Sequence, residues 1–255
     1  MAKTVAAKTR KQKRTFKLYM IRHGISCANL ARNLSGPLAA DLYTDPELTQ
    51  EGVKRARALR PYLKKVIRSP FVVGASSLMR TQQTAQLLLN PERLYIIPYV
   101  AEMGRHSQES TALDPHLQAE LLPTSLTKIR DYVYSNETPE VAEDKQLEAF
   151  LKWLGTHMRS ITSNGRKSLV IVSHYGFIQS VLQSLIGTEI RDIHNCELVE
   201  FDVSFQNKVA VLKNPYVIPY MPKKIRDWEI KEVAKGHGCR LSVKTQTRTR
   251  KRTPP

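Results

Sequence analysis

Leu18-Tyr-Met-Ile21 is a short apolar run, and it leads without a break into Arg22-His23-Gly24-Ile-Ser26-Cys-Ala-Asn29. The run has the length and composition of a buried strand. Gly24 lets the backbone approach a ligand closely. Ser26 to Asn29 open a helix, whose first N–H groups are free to hold an anion. Strand, polar turn and helix in that order make one unit of an α/β sheet. Taken alone, the turn also fits a strand end with a solvated arginine.

The same order recurs downstream. Phe71-Val-Val-Gly-Ala75 runs into Ser76-Ser-Leu-Met-Arg80-Thr and a helix over Thr81–Leu89. Leu94–Val100 precedes Ala101-Glu102-Met-Gly-Arg105-His106, and Leu169-Val-Ile-Val172 precedes Ser173-His174-Tyr175-Gly176. Leu198–Val203 and Val209–Leu212 read as further strands. Helical spacing predicts helices over Gln50–Val66, Gln146–Ile161 and Phe177–Ile186. Thr49 is the expected N-cap of the first, and Pro61 predicts a kink or an early end in it. Strands alternating with helices imply a three-layer α/β/α fold with a mostly parallel central sheet. Residues 103–165 contain no convincing strand and read as a helical cap insertion.

Composition bounds the organisation. The 255 residues have a net charge of +17. Residues 1–17 and 235–255 each hold seven Lys/Arg and no acid, so residues 18–234 carry a net of only +3. A uniformly basic nucleic-acid-binding domain is therefore disfavoured. The expectation is a nearly neutral domain over 18–234 between two basic, disordered arms, 1–17 and 235–255. With no aromatic ladder, the arms can make only nonspecific, salt-sensitive contacts to nucleic acid or another anionic surface. No apolar run is long enough to span a membrane. Cys27, Cys196 and Cys239 lie far apart with no CxxC pair. That argues against a disulfide scaffold and a structural zinc site, and for an intracellular protein, cytoplasmic or nuclear. Cys27 reads as a small packing residue or as a thiol activated by a helix start.

Each polar cluster follows an apolar run, and in an open parallel sheet the carboxyl ends of the strands form the ligand crevice. Arg22, His23, Arg80, Glu102 and His174 can therefore converge. Two guanidinium forks suit a tetrahedral dianion. A neutral imidazole can attack phosphorus, a second can donate to its oxygens, and a carboxylic acid can protonate the departing oxygen. This chemistry calls for no metal or cofactor. Metal ligation by His23 and His174 is the weaker reading, because flanking arginines repel a cation.

The chain resembles the histidine phosphatase superfamily, the phosphoglycerate mutase-like group, over roughly residues 18–215. The matching residues are Arg22-His23-Gly24-x-Ser26-x-x-Asn29, Asp45-Pro-Glu-Leu-Thr49-x-x-Gly52, Ser77-Leu-x-Arg80-Thr-x-x-Thr84-Ala85, Glu102 and Ser173-His174-Tyr175-Gly176. The resemblance implies that His23 is the nucleophile that becomes phosphohistidine and Glu102 the proton donor. It implies a phosphate pocket of Arg22, Arg80 and His174, with Ser26, Asn29 and the backbone near Tyr175 beside them. Ile25 departs from the Glu or Gln of many members, the mutases especially. Residues 103–165 lack the run of prolines found in the long insertion of the cofactor-dependent mutases. The expected activity is therefore hydrolysis of a phosphomonoester, small-molecule or protein. A phosphoglycerate mutase-type transferase and an inactive binding protein that uses its basic arms are the alternatives. Oligomeric state is not legible.

Overall fold

The computed structural model describes residues 16–67, 71–103, 108–121, 131–134, 141–161, 168–187, 192–223 and Cys239. The elements run β1 (Phe16–Arg22), α1 (Cys27–Ser35), α2 (Gln50–Val66), β2 (Phe71–Ala75), α3 (Met79–Leu89), β3 (Arg93–Ile96), α4 (Pro115–Leu121), β4 (Asp131–Tyr134), α5 (Gln146–Ile161), β5 (Ser168–Ser173), α6 (Tyr175–Ile186), β6 (Leu198–Gln206) and β7 (Val209–Ile218), with short 3₁₀ turns between some of them.

The strands form one seven-stranded sheet in the order β4-β3-β2-β5-β1-β6-β7. β4, β3, β2, β5 and β1 are parallel neighbours, and β6 and β7 close the sheet antiparallel. Alternation along β1 explains the layers, because successive side chains of a strand point to opposite faces. Tyr19 and Ile21 join Val73, Val170, Leu59, Leu63 and Leu88 on one face. Leu18 and Met20 join Val72, Leu169, Phe150, Leu154, Phe177 and Ile178 on the other. Helices α2 and α3 therefore cover one face, and α5 and α6 the other. All six residues of β5 are buried, as a central strand requires.

Three findings differ from the sequence reading. Residues 131–134 form an edge strand inside the segment expected to be a wholly helical cap, and α5 belongs to the layer packed on the sheet rather than to a cap. A four-residue strand in a polar stretch gives little periodicity to read. Helix α2 runs the whole expected span to Val66, so Pro61 does not end it early. Leu59 and Leu63, on either side of the proline, are both anchored in the core, and this packing outweighs one missing backbone bond. Third, Cys27 is buried and bonded to Cys239 as a disulfide, 212 residues away in sequence. Sequence spacing carries no sign of a pairing made by the tertiary fold. Apart from Lys17, Phe16 and Cys239, the two basic arms lie outside the described residues. Among the described residues no helix is long and apolar enough to cross a membrane.

Candidate active site

Strand register builds the site. Arg22 of β1 stands opposite Ser173 of β5, and Ala75 of β2 opposite Val172. The three strands end level at one edge, so His23, Ser76 and His174 all emerge there. The N–H of His23 donates to Ser173 O at 2.9 Å, and that of Ser76 to Val172 O at 3.2 Å.

His23 is buried. Its Nδ1 lies 2.6 Å from the carbonyl oxygen of Gly24, which can only accept, so Nδ1 carries the proton. The lone pair is then on Nε2, where Nε of Arg80 donates to it at 3.3 Å. Burial first, then the charges of Arg80, Arg22 and Arg32, hold this imidazole well below its ordinary pKa. It is neutral and can act as a nucleophile.

The loop around it is fixed from behind. Ile25 is buried, and its carbonyl accepts from the N–H of Thr49 at 2.9 Å. A Cβ on Gly52 would strike that same carbonyl, so the first turn of α2 can dock there only with glycine at this position. The Asp45–Gly52 motif thus clamps the backbone that carries His23. Burial of Ile25 also removes it from the rim of the pocket.

Arg80 enters from the first turn of α3. That helix has no side-chain cap of its own. Asp45 supplies one from a distance, its Oδ1 accepting from the N–H of Met79 at 2.8 Å. Oδ2 accepts from Leu113 N at 3.1 Å and Gln118 Nε2 at 2.6 Å. Nη1 of Arg80 donates to Glu109 O at 2.7 Å. Arg22 donates through Nη1 to Ile193 O at 2.5 Å and lies 5.0 Å above the Tyr175 ring. Tyr175 donates its hydroxyl to Asp192 at 2.9 Å. Its side chain therefore braces Arg22, and its backbone N–H begins α6.

His174 is fully buried, with Nε2 2.7 Å from Ser76 Oγ. Its Nδ1 has no hydrogen-bond partner among the described residues and lies 3.8 Å from Oε2 of Glu102. Oε1 of Glu102 accepts from Gly176 N at 2.8 Å and from Met103 N at 3.3 Å. Burial raises the Glu102 carboxyl pKa against the opposing pull of Arg80, the Gly176 N–H and Arg22. This is the condition a proton donor requires.

Ser26 spends its hydroxyl oxygen as the N-cap of α1, accepting from Asn29 N at 3.3 Å, while Asn29 Oδ1 accepts from Ser26 N at 3.2 Å. Asn195 donates to the same Oδ1 at 3.4 Å and to His23 O at 2.8 Å. With its oxygen engaged twice, Asn29 has its Nδ2 available to the pocket. Asn195 was invisible in the sequence, where it stands alone in Ile193-His-Asn-Cys196 with no strand or helix signal to place it. Arg105 and His106 lie outside the described residues.

His23, Glu102 and His174 bring potential ligand atoms within 4.8 Å of one another. Buried Arg80 and partly buried Arg22 both act on His23, so the local charge favours an anion over a cation. The arrangement sets a neutral imidazole and a carboxyl of raised pKa beside two arginines, a combination that can bind a tetrahedral oxyanion and attack it.

Comparison with known proteins agrees with the architecture. A model of the histidine phosphatase superfamily (branch 1) matches residues 18–214. No curated protein matches the sequence. Among solved structures, mycobacterial hydrolase 2 is 16% identical with a TM-score of 0.51, covering 87% of this chain and 97% of that one. The ecdysone phosphate phosphatase of Bombix mori, in complex with tungstate, is 15% identical with a TM-score of 0.51, covering 82% and 95%. The phosphoserine phosphatase of Entamoeba histolytica, in complex with 3-phosphoglyceric acid, is 20% identical with a TM-score of 0.47, covering 81% and 99%. For the two structures with a TM-score of 0.51 the likeness is one of fold alone.

Proposed function

The chain belongs to the histidine phosphatase superfamily, branch 1, and from that premise we propose that it is a metal-independent phosphomonoester hydrolase that works through a phosphohistidine on His23. The observation that carries the reading is the Nδ1–Gly24 hydrogen bond, which leaves the Nε2 lone pair facing Arg80.

In the first step that lone pair attacks phosphorus and the P–O bond to the alcohol breaks. Glu102 gives its proton to the departing oxygen. Arg22, Arg80, Asn29 Nδ2 and the Tyr175 N–H hold the phosphoryl oxygens in place of water. Ser76 donates to His174 Nε2, so that Nδ1–H of His174 points at the same oxygens. In the second step the Glu102 carboxylate takes a proton from water, and the resulting hydroxide attacks phosphorus. The P–N bond breaks, its electron pair returns to Nε2, and inorganic phosphate leaves with Glu102 again protonated. The substrate is a phosphomonoester of a small molecule or a protein.

The test is a quenched burst with an aryl phosphate in excess chelator, followed by intact mass. Wild type should release phosphate and carry a phosphate-sized adduct that His23→Ala lacks. A folded wild type with neither turnover nor adduct would overturn the reading. Transfer of the group to an added alcohol in preference to water would favour the mutase-type alternative.

A further inference from the structure

The connection leaving β3 carries two acids. Glu102 lies in the site. Glu109, in the 3₁₀ turn Gln108–Ser110, has no part in the steps above. Its side chain is only 6% exposed, and its carboxylate is paired with Nη2 of Arg32. Arg32 stands one helical turn beyond Asn29 on α1, with its side chain 39% exposed at the rim. Its Nε is buried with no hydrogen-bond partner among the described residues. The backbone oxygen of Glu109 accepts from Arg80. Glu109 therefore touches one arginine of the phosphate pocket and a third arginine beyond it.

All three guanidinium groups act on the His23 imidazole, and Arg32 is paired with the Glu109 carboxylate. Arg22 donates to the Ile193 carbonyl oxygen and Arg80 to that of Glu109. The charge of Arg32 is already matched. Nor can Glu109 swing away freely. Asp45 N donates to Gln108 O at 3.4 Å, and Asp45 Oδ2 accepts from Leu113 N, so its segment is tied at both ends.

We propose that the Arg32–Glu109 pair sets leaving-group specificity: it selects phosphomonoesters whose alcohol carries no second negative charge. The inference rests on the hydrolase reading of the same site. A leaving group with a carboxylate or a second phosphate has two options at this rim. It can displace Glu109 from Arg32, which strands a buried carboxylate without its partner. Or it can lie against Glu109 as a like charge. An uncharged alcohol meets neither penalty.

The probes are phenyl phosphate and 4-carboxyphenyl phosphate, which differ by one remote carboxylate. The readout is the ratio of their kcat/KM values. Wild type should favour phenyl phosphate, on the order of 10-fold or more. Glu109→Gln frees Arg32 and should move the ratio toward the carboxylated ester by roughly 10- to 100-fold. The double variant Arg32→Met/Glu109→Leu removes both charges together, which buried pairs tolerate, and should bring the ratio close to one. It decides the matter if the single variant fails to fold. A ratio unchanged from wild type in these variants, or a wild type that prefers the carboxylated ester, overturns the proposal. A wild type that hydrolyses neither ester overturns the hydrolase reading, and this inference with it.

Discussion

Gly176 donates its backbone N–H to Oε1 of Glu102 at 2.8 Å, and a Cβ at position 176 would lie 2.7 Å from that same oxygen. The glycine thus both holds the acid and leaves room for it. Gly176→Ala should displace Glu102 while leaving His23 in place. We expect kcat for an alkyl phosphate, whose leaving oxygen needs a proton, to fall about 10²-fold. For p-nitrophenyl phosphate the loss should be much smaller. Steady-state kinetics on the two esters check this, and equal losses on both would refute it.

The two functional groups are shifted in opposite directions, so activity should have a broad plateau. The His23 pKa is lowered by burial and by Arg80, so its Nε2 stays unprotonated well below the usual imidazole range. The Glu102 pKa is raised by burial, so it keeps its proton above the usual carboxylate range. With an alkyl phosphate, kcat should fall on the acid side as His23 protonates and on the alkaline side as Glu102 ionises. Glu102→Gln should remove the alkaline limb and keep the acid limb. A pH–rate profile of both proteins is the measurement.

Asn195 reaches the site only through others, His23 O and Asn29 Oδ1. Its loss should free the Asn29 amide to turn. Asn195→Ala is expected to weaken binding of a phosphate-like oxyanion such as vanadate roughly 10-fold, the worth of about one hydrogen bond to a charged group. The pH limbs should stay where they are. A shift of the acid limb would mean that Asn195 acts on the imidazole instead.

Asp45 is fully buried and accepts from Met79 N, Leu113 N and Gln118 Nε2. It sits at φ 44°, in the left-handed region that aspartate tolerates better than most residues. Asp45→Ala strips the cap from α3 and leaves buried donors unpaired, at a cost of about 2–4 kcal/mol. The denaturant midpoint should fall with little change in slope, and kcat should fall too, because Arg80 rides on the same helix turn.

Cys27 and Cys239 are joined, while Cys196 is a buried thiol outside that disulfide. Thiol titration in denaturant without reductant should find one reactive group in the wild type and two in Cys27→Ser. Three in the wild type would contradict the pairing.

The edge that carries the candidate site was legible because its signals are local. His23, Arg80 and His174 each follow an apolar run that is itself a buried strand, and the chemistry sits in the next few residues. Glu102 was legible for the same reason, after Leu94–Val100. What stayed hidden is held by tertiary contact. Asn195, the Arg32–Glu109 pair and Cys239 each meet a partner far away in sequence, and nothing in their own neighbourhood marks them. The short edge strand β4 failed for a different reason: four residues are too few for periodicity. The Asp45–Gly52 motif was seen, but its work, clamping Ile25 and capping α3, is visible only once the three segments lie together.

Strand β1, the earliest in sequence among the described residues, lies in the centre of the sheet, between β5 and β6. During synthesis on a ribosome, His23 leaves the tunnel early and must wait for residues as many as 172 positions later to complete its surroundings. Until β5 pairs with β1, the histidine lacks the carbonyl of Ser173 that anchors its backbone, and His174 has not yet been made. A chain that stops before β5 therefore lacks both His174 and the backbone anchor of His23. The pocket takes shape only once β5 and Asn195 have joined β1, so its assembly follows the making of residues 168–195 and not the local order of the polar turn that carries His23.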